Sequence, residues 1–190
     1  VKKVTQETKL VYSDYFSAQT GNKVYLKPEN MQFTGAYKLR GAYYKISTLS
    51  DEERSRGLIT ASAGNHAQGV AYAAQCYGAK AVIVMPTTTP LIKVERTKSY
   101  GAEVVLHGNV YDEACEKAYE LADEYGYTFI HPFDDLTVAT GHRRRRTGDR
   151  RLYAGKASEA KRKGDRRGAC RRSLHEGVPG KRRGHDGQPG

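Results

Sequence analysis

Leu58-Ile59-Thr60-Ala61-Ser62-Ala63-Gly64-Asn65-His66-Ala67-Gln68-Gly69 is the stretch on which the fold turns. A short apolar run passes through a small-residue turn at Gly64 into a helix-forming segment, which reads as strand, turn and helix. The first N–H groups of a helix have no acceptor within it, so such a turn is a cradle for an anion. Outward from it the alternation repeats. Ala81–Met85, Glu103–Leu106 and residues 127–130 read as further short buried strands. Between them the pattern predicts helices over roughly 67–77, 90–100 and 111–125, each ending near a glycine: Gly78, Gly101 and Gly126. Pro90 after Thr89 suits a first helical position. This βαβαβαβ string implies an α/β fold with a parallel sheet and right-handed crossover helices.

Upstream, Val24-Tyr25-Leu26 opens the alternation, and a helix is predicted over about 37–49. Ser50-Asp51-Glu52-Glu53 has the spacing of a capping box and announces a second short helix. The earlier helix carries Thr34-Gly35-Ala36-Tyr37-Lys38-Leu39-Arg40-Gly41-Ala42 at its start. Lys38 sits in a glycine-flanked, largely apolar setting, where desolvation would lower the pKa of its ammonium and let the amine condense with a carbonyl. On spacing alone Lys38 reads more readily as a solvent-facing helix lysine, and the Ser62–His66 segment equally as a structural turn.

The 190 residues suffice for one domain or for part of a larger enzyme. The net charge of +11 is unevenly spread: residues 1–142 sum to -1 and residues 143–190 to +12. The tail interleaves arginine clusters with single glycines and holds few sizeable apolar side chains, so it is expected to be disordered. Its arginines would attract nucleic acid through charge alone, since Tyr153 is its one aromatic residue. Cys76, Cys115 and Cys170 lack the spacing of a disulfide framework or zinc site, pointing to a reducing compartment, with Cys76 and Cys115 read as small buried residues. His107, His131 and His142 are read as loop or strand-end residues, and the acidic run from Asp112 to Glu124 as a solvated helix face. No apolar run is long enough for a membrane span or a secretory signal, and a cytoplasmic protein is expected.

Residues 27–42, from Lys27-Pro28-Glu29-Asn30 to Gly41-Ala42, together with the Ser62–Gln68 loop, resemble the threonine dehydratase (threonine ammonia-lyase) family of fold-type II pyridoxal phosphate enzymes. The resemblance runs from about 11 to 141 and includes His131-Pro132-Phe133-Asp134-Asp135 and Val138-Ala139-Thr140-Gly141. Serine racemase is similar enough to stand as the alternative. The resemblance implies that Lys38 forms the internal aldimine with pyridoxal 5'-phosphate and removes the α-proton. It places Tyr37 near the cofactor ring and Asn65 on the ring hydroxyl oxygen. Ser62, Ala63, Gly64 and His66 fall in the loop that receives the substrate carboxylate, and no metal is implied. Threonine would yield 2-oxobutanoate and ammonia, and serine pyruvate, in threonine catabolism or isoleucine biosynthesis, by a homo-oligomeric enzyme.

The family's next features, a Gln-Gly-Thr helix start and a four-glycine loop around the cofactor phosphate, do not follow Gly141. Residues 1–142 are therefore expected to be a truncated catalytic region, with a small inserted domain at about 56–133 and exposed apolar surface around it. Residues 143–190 read as an unrelated or out-of-frame tail.

Overall fold

The computed structural model describes residues 1–2, 4–132 and 135–142, the side chain of residue 142 excepted. The basic tail 143–190, for which disorder and charge-driven nucleic-acid binding were expected, lies outside the described residues. The chain opens with β1 (Val11–Tyr12), α1 (Asp14–Thr20), β2 (Tyr25–Leu26), a 3-10 turn at Glu29–Met31, α2 (Lys38–Ser47) and α3 (Asp51–Ser55). It continues with β3 (Leu58–Ala61), α4 (Asn65–Tyr77), β4 (Ala81–Met85), α5 (Leu91–Lys98), β5 (Glu103–Leu106), α6 (Tyr111–Tyr125), β6 (Thr128–Phe129) and α7 (Leu136–His142).

The larger sheet runs in the order β5-β4-β3-β6, and its neighbours are parallel throughout. The chain steps from β3 outward to β4 and β5, then crosses back so that β6 pairs with the other side of β3. Strand order thus reverses at β3, which opens a crevice at the carboxyl ends of β3 and β6, where ligands of open α/β sheets bind. Thr60 Oγ1 donates to the Ile130 carbonyl at 2.7 Å and secures the end of this pairing.

The two inner strands bury every side chain, because helices cover both faces. Leu58, Ile83 and Met85 pack with Leu39 and Ile46 of α2 and Val70 and Ala74 of α4. Ile59, Ala61, Val82 and Val84 face Ala114, Cys115 and Ala118 of α6. The outer strands depart from the expectation of buried strands. β5 is an edge with exposed ends, and β6 is a half-buried pair of residues. A second departure is the pair β1 and β2, which is antiparallel, exposed and separate from the parallel sheet. Val24-Tyr25-Leu26 does not open the alternation, because its partner is the neighbouring Val11–Tyr12 segment.

Helix ends follow local chemistry. Gly78 and Gly126 take left-handed φ values of 63° and 72° at the ends of α4 and α6, a conformation that costs glycine nothing. Ser50 Oγ accepts from Glu53 N at 3.1 Å while Glu53 Oε2 accepts from Ser50 N at 2.8 Å, completing the box ahead of α3. Pro90 occupies the cap position, one residue before the helix it was expected to start. α7 was not anticipated. Asp135 Oδ1 accepts from the N–H groups of Thr137 (2.7 Å) and Val138 (3.2 Å), capping it, and Oδ2 meets Lys45 Nζ at 2.9 Å.

The cysteine reading also changes. Cys76 is exposed rather than buried, while Cys115 is fully buried as expected. Glu116, Glu120, Asp123 and Glu124 do lie on an exposed face of α6. Among the described residues no helix is long and apolar enough to cross a membrane.

Candidate functional site

Lys38 is the first residue of α2, and the Ser62–Asn65 turn leads from β3 into α4. Two distant stretches of sequence are joined by the packing of these helices. At Gly69, one turn into α4, a Cβ would stand 3.2 Å from Leu39 N and 3.3 Å from the Lys38 carbonyl carbon. The backbones touch there because glycine carries no side chain to hold them apart. α2 is gripped on another side by α7. A Cβ at Gly141 would lie 2.8 Å from Gly41 Cα and 2.6 Å from Tyr44 Cβ, so two glycines allow that approach as well.

Within this frame Lys38 is half-buried, and burial pushes its ammonium below the usual lysine range. That is the direction expected for an amine that must be neutral to attack a carbonyl. Tyr37 precedes it in the cap position with its ring about half exposed.

The turn has the character of an anion cradle. Gly64 holds the cap position of α4, and among the described residues no side-chain capping bond is made there. Among the described residues a Cβ at Gly64 would meet nothing within 4 Å, so the turn leaves open space beside it there. Ser62 Oγ accepts from Gly64 N at 3.3 Å and shapes the turn, while Ser62 N bonds to the Val84 carbonyl at 3.1 Å. Ala63 is half-buried and Asn65 exposed at the mouth. His66 is different: its ring is 1 % exposed and Nε2 lies 3.3 Å from the Ile130 carbonyl, which makes its side chain part of the core under the crevice.

Several residues around the site were not singled out from sequence. Arg40 Nε donates to Glu29 Oε2 at 2.7 Å and its terminal nitrogen to Oε1 at 3.1 Å, two residues from Lys38. Burial would raise the Glu29 carboxyl, but the bonds from Arg40 and Thr8 outweigh it and hold the group low. The visible signals were a charged side chain on an otherwise apolar helix start, and glycines at 41, 69 and 141 where helix propensity argues against them.

The residues fit a pyridoxal phosphate at its aldehyde end, with a desolvated lysine beside an open, uncapped helix start. A family model described as "Pyridoxal-phosphate dependent enzyme" matches residues 1–145. The chain belongs to that family. Among relatives of this pyridoxal-phosphate dependent enzyme chain, the L-threonine ammonia-lyase of Thermotoga maritima is 52% identical over 141 residues, covering 74% of this chain and 35% of the relative. Among solved structures, threonine deaminase isoform 2 of Solanum lycopersicum aligns with a TM-score of 0.71 at 47% identity, over 74% of this chain and 39% of that one. Serine racemase of Dictyostelium discoideum aligns with a TM-score of 0.69 at 33% identity, over 74% and 46%. The chain therefore spans less than half the length of these relatives.

Proposed function

We propose that the protein supplies the lysine and carboxylate-loop portion of a pyridoxal phosphate-dependent ammonia-lyase that converts L-threonine to 2-oxobutanoate and ammonia. The carrying observation is the Gly69 contact, which sets the backbone of a desolvated lysine against the helix whose open N-terminus forms the turn. Higher identity to threonine ammonia-lyase and threonine deaminase than to serine racemase favours deamination over racemisation.

When bound, the cofactor supplies an electron-withdrawing ring that accommodates the electron pair left as the substrate Cα–H bond breaks. The chain's own residues bind, orient and move protons. Lys38 Nζ holds the cofactor and takes the α-proton. The turn of Ser62, Ala63, Gly64 and His66 receives the substrate carboxylate through main-chain N–H groups and the positive end of α4. Asn65 orients the ring hydroxyl, and Tyr37 lies beside the ring. The β-hydroxyl leaves, and hydrolysis of the nitrogen-bearing product releases ammonia. Serine would give pyruvate by the same route.

In this reading residues 56–133 form the smaller domain, and no residue is assigned to the cofactor phosphate. The reaction serves threonine catabolism or isoleucine biosynthesis, in the cytoplasm, in a self-associated protein whose basic tail holds nucleic acid only through charge. The test is titration of the purified chain with pyridoxal phosphate, borohydride reduction and peptide mapping. The label is expected on Lys38 and absent from Lys38→Ala. Undiminished labelling of Lys38→Ala would overturn the assignment.

A further inference from the structure

The first turn of α2 must hold its lysine without a conventional cap, because Tyr37 makes no side-chain capping bond. What stands in its place is a polar knot. The two-pronged bond from Arg40 to Glu29 is the geometry that a planar guanidinium makes best and that a lysine cannot reproduce. The same carboxylate accepts from Thr8 Oγ1 at 2.8 Å and Gln32 Nε2 at 3.2 Å, so both its oxygens are engaged from two directions. Gln32 is itself anchored, donating to the Gln6 carbonyl at 2.9 Å and accepting from Gln6 N at 3.0 Å. Arg40 reaches Thr5 Oγ1 and the Gln6 carbonyl, both at 3.3 Å. The Arg40 and Glu29 side chains are 17% and 21% exposed, and the bonds converging on the carboxylate outweigh the cost of its burial.

A second ion pair, Lys45–Asp135 at 2.9 Å, ties the other end of the same helix. It lies seven residues from Lys38, about 10 Å along the axis at 1.5 Å per residue. The two pairs anchor one helix, yet only the first adjoins the lysine.

We infer that Glu29 and Arg40 are positioning residues for Lys38: their fork locks the first turn of α2 against Gly69 and so sets the direction in which the lysine nitrogen presents itself to a carbonyl. The inference rests on the Lys38 assignment above and adds residues to which no role was given. Neither Glu29 nor Arg40 touches the reacting atoms. They act through the lie of the helix start, as small misplacements of a reacting group are costly in rate.

The experiment compares Glu29→Gln, Arg40→Lys and Asp135→Asn in the full chain. Two rates of Lys38 modification are measured: by pyridoxal phosphate with borohydride trapping, and by trinitrobenzenesulfonate across pH without cofactor. Thermal midpoints are recorded alongside. Both fork variants are expected to slow Lys38 about tenfold and to move its pH profile toward that of an ordinary lysine. Asp135→Asn, at a similar loss of thermal midpoint, is expected to change the rate less than twofold. A wild-type rate in Glu29→Gln and Arg40→Lys overturns the inference, and so does an equal slowing in Asp135→Asn, which would mean that any loosening of α2 suffices. If one fork variant does not fold, the other carries the comparison. The sulfonate arm needs no cofactor, so failure of the wild type to take up pyridoxal phosphate would break the functional reading while leaving this one decided.

Discussion

β3 and β4 on one side, and β1 and β2 on the other, are all short runs of mainly apolar and β-forming residues, Leu-Ile-Thr-Ala and Ala-Val-Ile-Val-Met against Val-Tyr and Tyr-Leu. Their fates differ. The inner pair is sealed between α2 and α4 on one face and α6 on the other, with Ile59, Ile83 and Met85 at 0% exposure. The outer pair leaves Val11 53% and Tyr25 55% exposed, and its tie to the body is polar, through Thr8, Gln32, Glu29 and Arg40. A strand is stabilised by what covers its faces, and a two-stranded ribbon without cover is marginal. The candidate site lies where the two regimes meet: the turn hangs on the sealed sheet, and the lysine helix is tied to the polar segment.

The comparison breaks if the inner strands tolerate truncation. Ile83→Ala should cost about 2–5 kcal/mol in denaturant unfolding, because the helices around it cannot collapse into the space. Acid should separate the two regions next. Burial would raise the carboxyl of Asp135, but the Lys45 bond and the α7 amide bonds outweigh it and hold it low, as Arg40 and Thr8 do for Glu29. A carboxyl lowered on folding contributes stability above its unfolded pKa of about 4, and that contribution is lost as pH falls through the folded value. Hydrogen exchange between pH 5 and 3 should therefore show α7 and the 5–8 segment loosening before β3 and β4. The Asp135→Asn variant should lose the α7 part of that response, with an effect on the order of 1.5 kcal/mol. The smallest effect is expected at Val11→Ala, within about 0.5 kcal/mol of the parent, since that side chain already stands half in water. A loss comparable to that of Ile83→Ala would show that β1 is covered in solution.

The parallel sheet was legible because its strands obey local rules: apolar runs of four or five residues, glycine stops at Gly78 and Gly126, and the capping box at Ser50. Lys38 and the Ser62–Asn65 turn were legible from residue type and motif. α7 was missed because it is only seven residues long and its cap, Asp135, is held by Lys45 of a helix far away in the chain. The burial of His66 was hidden because its partner carbonyl, Ile130, lies 64 residues away. Cys76 was misplaced because periodicity marks a helix face as apolar without saying whether a neighbour covers it.

The sequence by itself determined the alternation of β3 to β6 with the helices between them and where most of those helices stop, because these depend on near neighbours and side-chain chemistry; it offered Lys38 as a candidate amine by residue type and motif. The tertiary structure decided that β6 returns beside β3, that Gly69 admits the Lys38 backbone, and that Arg40 finds Glu29. Each of those is a contact between segments far apart in the chain. It is chosen by the shape left when both faces of a sheet are covered, and no local pattern encodes it.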